Sequence, residues 1–243
     1  MIYFIGAGPG AADLITIRGA EILRRAGIII YAGSLVNPEI LSLYASGECR
    51  IYDSAAMTLE EITAVMIDGH EQGIITVRLH SGDPALYGAI REQIDILREH
   101  NIPFEIVPGV SSLFAASATL KTEYMIPGQV QTLIISRTEG RTPVPENASV
   151  ALFLSAGMVQ AACDELVRKG YSPDTPAAMV HRASWPDERI IRGTLRTLPE
   201  LSEGIAKTAI ILAGDFLNDD IHTASKLYDK NFSHEYRNSR IHP

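Results

Sequence analysis

The stretch IITVRLHSGDPALYG, residues 74–88, governs how the rest of the chain is read. It opens on an apolar, β-branched run over 74–79 of the kind that forms a buried strand. The run breaks at Ser81-Gly82-Asp83-Pro84 into a turn, and Ile90, Ile94 and Leu97 then recur at helical spacing. Strand, polar glycine-containing turn, then helix is how an open α/β sheet builds a ligand site beyond the carboxyl ends of its strands. Gly82 lets backbone approach a ligand, Asp83 offers an acceptor to hydroxyls, and Pro84 stiffens the exit. An ordinary βα turn with Asp83 as a helix cap uses the same residues. The other loops of the chain weigh against that plainer reading.

Outward from this stretch, the chain alternates. A strand over 2–5 ends in GAGPGAAD (6–13), and Thr16 precedes a helix carrying Ile17, Ala20, Ile22 and Leu23. A second strand covers 28–31, after which Asn37 caps a short helix with Pro38 at its first position. A short strand over 50–52 follows, and Thr58 with Glu61 forms a capping box for a helix through about residue 72. Beyond the central stretch come a helix to about residue 100, a strand over 104–107, VPGVSS (107–112) and an apolar helix over 113–120. Such alternation calls for a mainly parallel α/β sheet.

The second half is richer in strands: 130–135, 150–154, 177–181, 189–193 and 209–212, with helices only over about 158–169 and 197–203. That pattern predicts a mixed-sheet α/β domain. Polar residues, Pro127 and Gly128 interrupt the apolar pattern over 121–128. The expected organisation is therefore an N-terminal α/β domain over 1–120, a mixed α/β domain over 121–217 and a polar, poorly ordered tail over 218–243.

Bulk properties narrow the function. The chain has 243 residues, 46% hydrophobic and 21% charged, with a net charge of −8, so a nonspecific nucleic-acid partner is not expected. No apolar run approaches the roughly 20 residues a bilayer span needs, so no membrane association is expected. MIYFIG at the start lacks the basic region of a secretory signal. Cys49 and Cys163 are far apart and lack metal-ligand spacing, which fits reduced thiols in a cytoplasmic protein.

The GAGPG loop invites a dinucleotide reading. The fingerprint G-x-G-x-x-G wants glycine at position 11, where Ala11 stands, and Pro9 removes a backbone donor the pyrophosphate would need. The fingerprint also wants an acid closing the second strand, and that region reads IIIYAGS. No lysine follows the glycines, so a P-loop fails too. His80, His100, His181 and His222 show no zinc-site spacing, and Ser34, Ser81, Ser111 and Ser155 lack the G-x-S-x-G elbow. What remains is a set of small-residue loops at strand ends without an obvious acid, base or metal. Chemistry suited to such a site uses a preactivated donor that the protein aligns and desolvates, and methyl transfer from a sulfonium fits.

GAGPG (6–10), HSGDPALYG (80–88), VPGVSS (107–112) and TAIILAG (208–214) together resemble the tetrapyrrole methylases, the class III S-adenosylmethionine-dependent enzymes. YAGSLVNPEIL (31–41), EGRTPVP (139–145) and SWPDE (184–188) are similar to a narrower group within that family, which methylates carbon 11 of precorrin-4 or cobalt-precorrin-4 in cobalamin biosynthesis. The resemblance implies a homodimer of two-domain subunits with the active site in the cleft between the domains, and S-adenosylmethionine as the donor. Carried over by position, the donor site would use Pro9, Ser81, Gly82, Asp83, Leu86, Ser111, Ser112, Ala156, Ala183 and Ala209.

The implied acceptor is a tetrapyrrole ringed by carboxylates, which wants arginine forks and hydroxyl donors. Arg137, Arg141 and Arg182, with Tyr31, Ser34 and Tyr87, are the expected acceptor-side residues. No general base stands out; His80 is the candidate if a ring proton must leave. Only Glu146-Asn147-Ala148-Ser149 separates EGRTPVP from the next strand, where relatives commonly carry a helical segment. Two other readings share this fold: a methylase of another tetrapyrrole position or a non-tetrapyrrole acceptor, and a catalytically silent corrinoid-binding protein.

Overall fold

The computed structural model describes residues 1–138, 145, 147–218 and 225–238. The chain divides into two compact units, Met1–Thr119 with Arg182–Arg189, and Leu120–His181 with Ile190–Pro243. Reading in chain order put Arg182–Arg189 in the second domain. The structure instead clusters it with the first unit, where hydrogen bonds join Ser184 and Trp185 to residues 9–11.

In the first unit β1 (Ile2–Gly6), β2 (Ile28–Tyr31), β3 (Arg50–Asp53), β4 (Thr76–His80) and β5 (Phe104–Val107) form a parallel sheet in the order β3-β2-β4-β1-β5. A sheet covered on both faces needs apolar side chains on both alternations. Ile28, Ile29 and Ile30 supply them and are fully buried. Ile5, Ile29, Val77 and Leu79 pack with Leu23 of α1 (Ile17–Arg25) and Ile40 of α2 (Glu39–Tyr44). Ile2, Phe4, Ile28 and Ile30 pack with Ile62 and Met66 of α3 (Leu59–Glu71), and with Ile94 and Leu97 of α4 (Arg91–Glu99).

Neighbouring strands β1 and β4 thus send their following helices, α1 and α4, to opposite faces. Such a reversal is a topological switch point, the place where open α/β sheets take ligands. The helix starts follow the sequence signals. Thr16 Oγ1 accepts from the Gly19 amide, Asn37 Oδ1 from the Glu39 amide, and Thr58 and Glu61 complete a capping box. The last helix of this half is α5 (Ser112–Leu120).

The second unit holds β6 (Leu133–Ser136), β7 (Ser149–Leu152), β8 (Pro176–His181), β9 (Arg189–Thr194) and β10 (Ala209–Ala213), in the order β6-β7-β10-β8-β9. β6 runs parallel to β7, while β10 is antiparallel to β7 and β8, so the sheet is mixed as expected. Val150, Met179 and Ile211 pack with Leu166 of α6 (Val159–Arg168) and Leu198 of α7 (Leu198–Leu201). β6 starts later than the sequence suggested because Val130 turns back onto Ile126, accepting from its amide at 2.8 Å.

No helix among the described residues is long and apolar enough to cross a membrane. Residues 225–238 of the expected tail carry a short 3-10 turn, Lys226–Tyr228, and a bridge between His234 and Arg237. Residues 219–224 and 239–243 lie outside the described residues.

Candidate functional site

Three loops of the first unit meet at the switch point. The hydrogen-bond ladder between β1 and β4 continues past their ends: the Ala7 amide donates to His80 O at 2.7 Å, and Gly8 and Gly82 exchange bonds of 3.2 and 2.8 Å. Gly82 sits at φ +64°, a left-handed conformation that suits glycine. The loop after β5 closes in from the other side. A Cβ on Gly6 would lie 2.5 Å from Gly82 O and 2.6 Å from Gly109 Cα, so only bare backbone fits there.

Asp83 binds this arrangement together. Its Oδ1 accepts from the Ala85 amide and its Oδ2 from the Gly109 amide, both at 2.8 Å. The sequence suggested an acceptor for ligand hydroxyls; the structure shows both carboxylate oxygens already engaged with backbone N–H groups. Ser111 Oγ is likewise occupied, accepting from the Leu113 amide inside a buried turn. Ser81 and Ser112 differ. Both are half-buried, and neither hydroxyl has a hydrogen-bond partner among the described residues.

The first unit therefore brings together Pro9, Ser81, Gly82, Asp83, Leu86, Ser111 and Ser112. Ala183 joins them, its carbonyl 2.8 Å from where a Cβ on Gly10 would stand. Tyr31 and Ser34 lie at and beyond the end of β2, the other neighbour of β4. Tyr87 follows the Asp83 turn at φ +57° and is 44% exposed. The guanidinium of Arg182, expected on the acceptor, lies 4.0 Å over the Trp185 ring with Nε 2.7 Å from Asp187 Oδ1.

Ala156, Ala209 and Arg137 belong to the second unit. Ala156 follows buried Ser155 in a 3-10 turn, and Ala209 opens β10 opposite His181; both contribute to that unit's core. Exposed Arg137 follows β6. Arg141 lies outside the described residues. A cavity of about 780 Å³ in this unit, lined in part by Asp174, Arg192 and Asp215, contains none of the expected residues.

The candidate base fares differently. His80 is buried, stacks on Phe4 with ring centroids 6.0 Å apart, and its Nε2 has no hydrogen-bond partner among the described residues. Burial first, then the charge of Arg78, push its pKa down to about 3. A neutral imidazole this reluctant to take a proton is a poor general base near neutral pH. Arg78 itself is buried, with Nε donating to Gln93 Oε1 and Nη1 to Ile30 O, both at 3.3 Å, and burial pulls its pKa down to about 10.

The sequence reading missed the return of residues 184 and 185 to the first loop. The Ala11 amide donates to Ser184 Oγ at 3.0 Å and Trp185 Nε1 to Pro9 O at 3.1 Å. Asn37 Nδ2 donates to Gly10 O at 2.9 Å. The SWPDE run was the available signal, but its partner lies more than 170 residues away. Left-handed non-glycine residues gather in these same loops: Tyr87, Ala89, Arg182 and Ser184, with Leu154 and Thr208 beside Ala156 and Ala209 in the second unit. Strained backbone of this kind concentrates at ligand sites.

A parallel α/β unit with a glycine-locked, small-residue cradle at its switch point, joined to a mixed-sheet unit, defines an α/β protein built to take a small-molecule ligand. The chain belongs to the Tetrapyrrole (Corrin/Porphyrin) Methylases, whose family profile matches residues 1–199. It is 50% identical to the cobalt-precorrin-4 C(11)-methyltransferase of Methanocaldococcus jannaschii, over 98% of this chain and 96% of that one. The X-ray structure of a cobalamin biosynthetic enzyme, cobalt precorrin-4 methyltransferase, superposes with a TM-score of 0.84 at 42% identity, covering 89% of this chain and 95% of that one. The uroporphyrin-III C-methyl transferase of Thermus thermophilus, complexed with S-adenyl homocysteine, gives a TM-score of 0.75 at 26% identity, covering 91% and 95%.

Proposed function

We propose that the protein transfers a methyl group from S-adenosylmethionine to carbon 11 of precorrin-4 or cobalt-precorrin-4, in building the corrin ring of cobalamin. One observation carries this reading. Three of the four loops that carry the resemblance, at 6–10, 80–88 and 107–112, meet at the first unit's switch point, in a chain half identical over nearly its whole length to a cobalt-precorrin-4 C(11)-methyltransferase.

The residues present fit such a donor. Gly82 bares its backbone, and the unspent hydroxyls of Ser81 and Ser112 are half-buried beside it. When bound, S-adenosylmethionine supplies an electrophilic methyl whose thioether leaving group needs no proton. The chain's task is then alignment and exclusion of water. Gly8, Gly82 and Gly109 form a rigid floor because Asp83 and the backbone bridge lock the three loops.

On this reading Pro9, Ser81, Gly82, Leu86, Ser111, Ser112, Ala156, Ala183 and Ala209 serve the donor, with Asp83 holding the turn. Tyr31, Ser34, Tyr87, Arg137, Arg141 and Arg182 serve the acceptor's carboxylates. The working form is a cytoplasmic homodimer. Ile17, 80% exposed at the start of α1, and Phe114, 59% exposed on α5, supply apolar surface for a second copy. The decisive experiment incubates the protein with methyl-labelled S-adenosylmethionine and precorrin-4, metal-free or cobalt-loaded, and locates the label. Label at carbon 11 supports the reading; label at another carbon, or none, overturns it.

A further inference from the structure

The geometry points to residues 182–188, together with Asn37, as the device that fixes the first loop in its donor-binding shape, with Trp185, Ser184 and Asn37 as positioning residues for methyl transfer. This inference rests on the methyltransferase reading and assigns the loop's geometry to Trp185, Ser184 and Asn37, which lie outside the proposed donor and acceptor sets.

The loop Gly8-Pro9-Gly10-Ala11 has little conformational preference of its own, since two of its four residues are glycine. Yet its backbone polar groups are held along its length. Gly8 exchanges both bonds with Gly82; Pro9 O accepts from Trp185 Nε1; Gly10 O accepts from Asn37 Nδ2; the Ala11 amide donates to Ser184 Oγ. The indole also occupies the space beside Gly10, where a Cβ would lie 2.5 Å from Trp185 Nε1 and 2.8 Å from Ala183 O. Neither a side chain at position 10 nor a shifted loop fits that packing.

The strap is itself braced. Glu188 Oε2 accepts from the Ser184 amide at 2.6 Å and from Thr119 Oγ1 at 2.9 Å, while Arg182 covers the indole and pairs with Asp187. Arg182 and Ser184 hold φ values of +52° and +66°, a conformation that persists only where surrounding contacts enforce it. Among the described residues the two apolar clusters that cover the first unit's sheet include none of the strap, and buried Ala183 meets the first loop at Gly10 instead. Two stretches that carry the narrower resemblance, YAGSLVNPEIL and SWPDE, thus reach one loop, the first through Asn37 and the second through Ser184 and Trp185.

Two variants separate positioning from folding. Trp185→Phe keeps an aromatic six-membered ring and deletes the N–H that holds Pro9 O. Asn37→Asp keeps the oxygen that caps α2 and deletes the donor to Gly10 O. Each is titrated with S-adenosylhomocysteine by calorimetry and assayed for KM of donor and acceptor separately. Amide exchange at Ala11 and the unfolding midpoint are measured without ligand. The chain has one tryptophan, so indole fluorescence in wild-type protein reports donor binding from the strap itself.

The expected result is a donor Kd and donor KM raised about tenfold, the scale of one lost hydrogen bond. Exchange at Ala11 should quicken, with acceptor KM unchanged in Asn37→Asp and the unfolding midpoint lowered by no more than a few degrees. Unchanged donor affinity in both variants, or a fall in the unfolding midpoint well beyond that small shift, overturns the inference. Wild-type protein that binds no donor refutes the methyltransferase reading instead. Ala11 exchange in the ligand-free variants then decides the strap alone: unchanged exchange overturns it, and faster exchange supports it.

Discussion

Asp83 Oδ2 accepts the Gly109 amide at 2.8 Å, so one carboxylate fastens the turn after β4 to the loop after β5. Its other oxygen holds the Ala85 amide, which shapes the turn. The side chain that looked most like a ligand contact in the sequence is the clasp of the cradle. Asp83→Ala removes both bonds and should destabilise the protein by about 2–3 kcal/mol, the range for lost hydrogen bonds to a charged group. Asp83→Asn, which keeps one acceptor, should cost less. Urea unfolding measures both, and calorimetry with S-adenosylhomocysteine should show weakened donor binding in the same order.

Gly6 tests the backbone packing. A methyl group there meets Gly82 O and Gly109 Cα, neither of which belongs to a flexible side chain. Gly6→Ala should therefore reach or exceed the top of the roughly 1–3 kcal/mol range for overpacking. Gly73→Ala supplies a comparison, because nothing stands near its Cβ position and its φ of +70° alone sets the cost. Thermal unfolding of the two variants should place Gly6→Ala well below Gly73→Ala.

His80 makes stability depend on pH. An unfolded imidazole titrates near 6.5, and burial holds the folded one down at about 3. Between those values the unfolded chain binds a proton that the native protein refuses. Stability that is fully present above pH 6.5 is therefore lost as pH falls toward 3, by up to about 1.4 kcal/mol per pH unit. His80→Phe, which keeps a ring against Phe4, should flatten the dependence of stability on pH between 6.5 and 5. An unchanged slope in urea titrations across that window would show that His80 is accessible to protons.

The two cysteines should separate by reactivity. Burial pushes Cys163 up to about 11, with Asp164 adding to the shift, and raises the half-exposed Cys49 less far. A thiol reagent at pH 8 should label Cys49 slowly in native protein and Cys163 only on unfolding. Peptide mass analysis after timed quenching checks the order.

Much of the fold was legible because its central strands are buried on both faces. IIIY at 28–31 is a strand where its β-branched run puts it. FEIV at 104–107 is one as well, although it lies at the sheet edge with Ile106 exposed. Ile74 and Ile75 looked the same and are not strand. They lead in from the turn at Gly73, and the ladder begins when the Thr76 amide reaches Met1 O. α4 starts at Arg91, where the periodicity of Ile90, Ile94 and Leu97 puts it, but before it the chain bends through left-handed Tyr87 and Ala89. No local pattern announces that bend.

The cradle residues of the first unit were legible as small residues at strand ends. What those residues do was not. Whether a carboxylate faces a ligand or a neighbouring amide depends on loops brought together by the sheet order. Trp185 finds Pro9 across 176 positions, and a hydrogen bond of that reach leaves no periodic trace.

The route of Arg182–Arg189 also bears on synthesis. The first unit's main segment ends at Thr119, yet its last piece arrives only with Arg189. At roughly 5–20 residues per second, the ribosome leaves this nascent sheet without its final piece for several seconds. A truncated message ending near residue 120 would yield a polypeptide whose first loop keeps its bonds to Gly82 and Asn37 but lacks those from Ser184 and Trp185. The order of manufacture thus leaves the last two fastenings of the amino-terminal half to the carboxyl-terminal half.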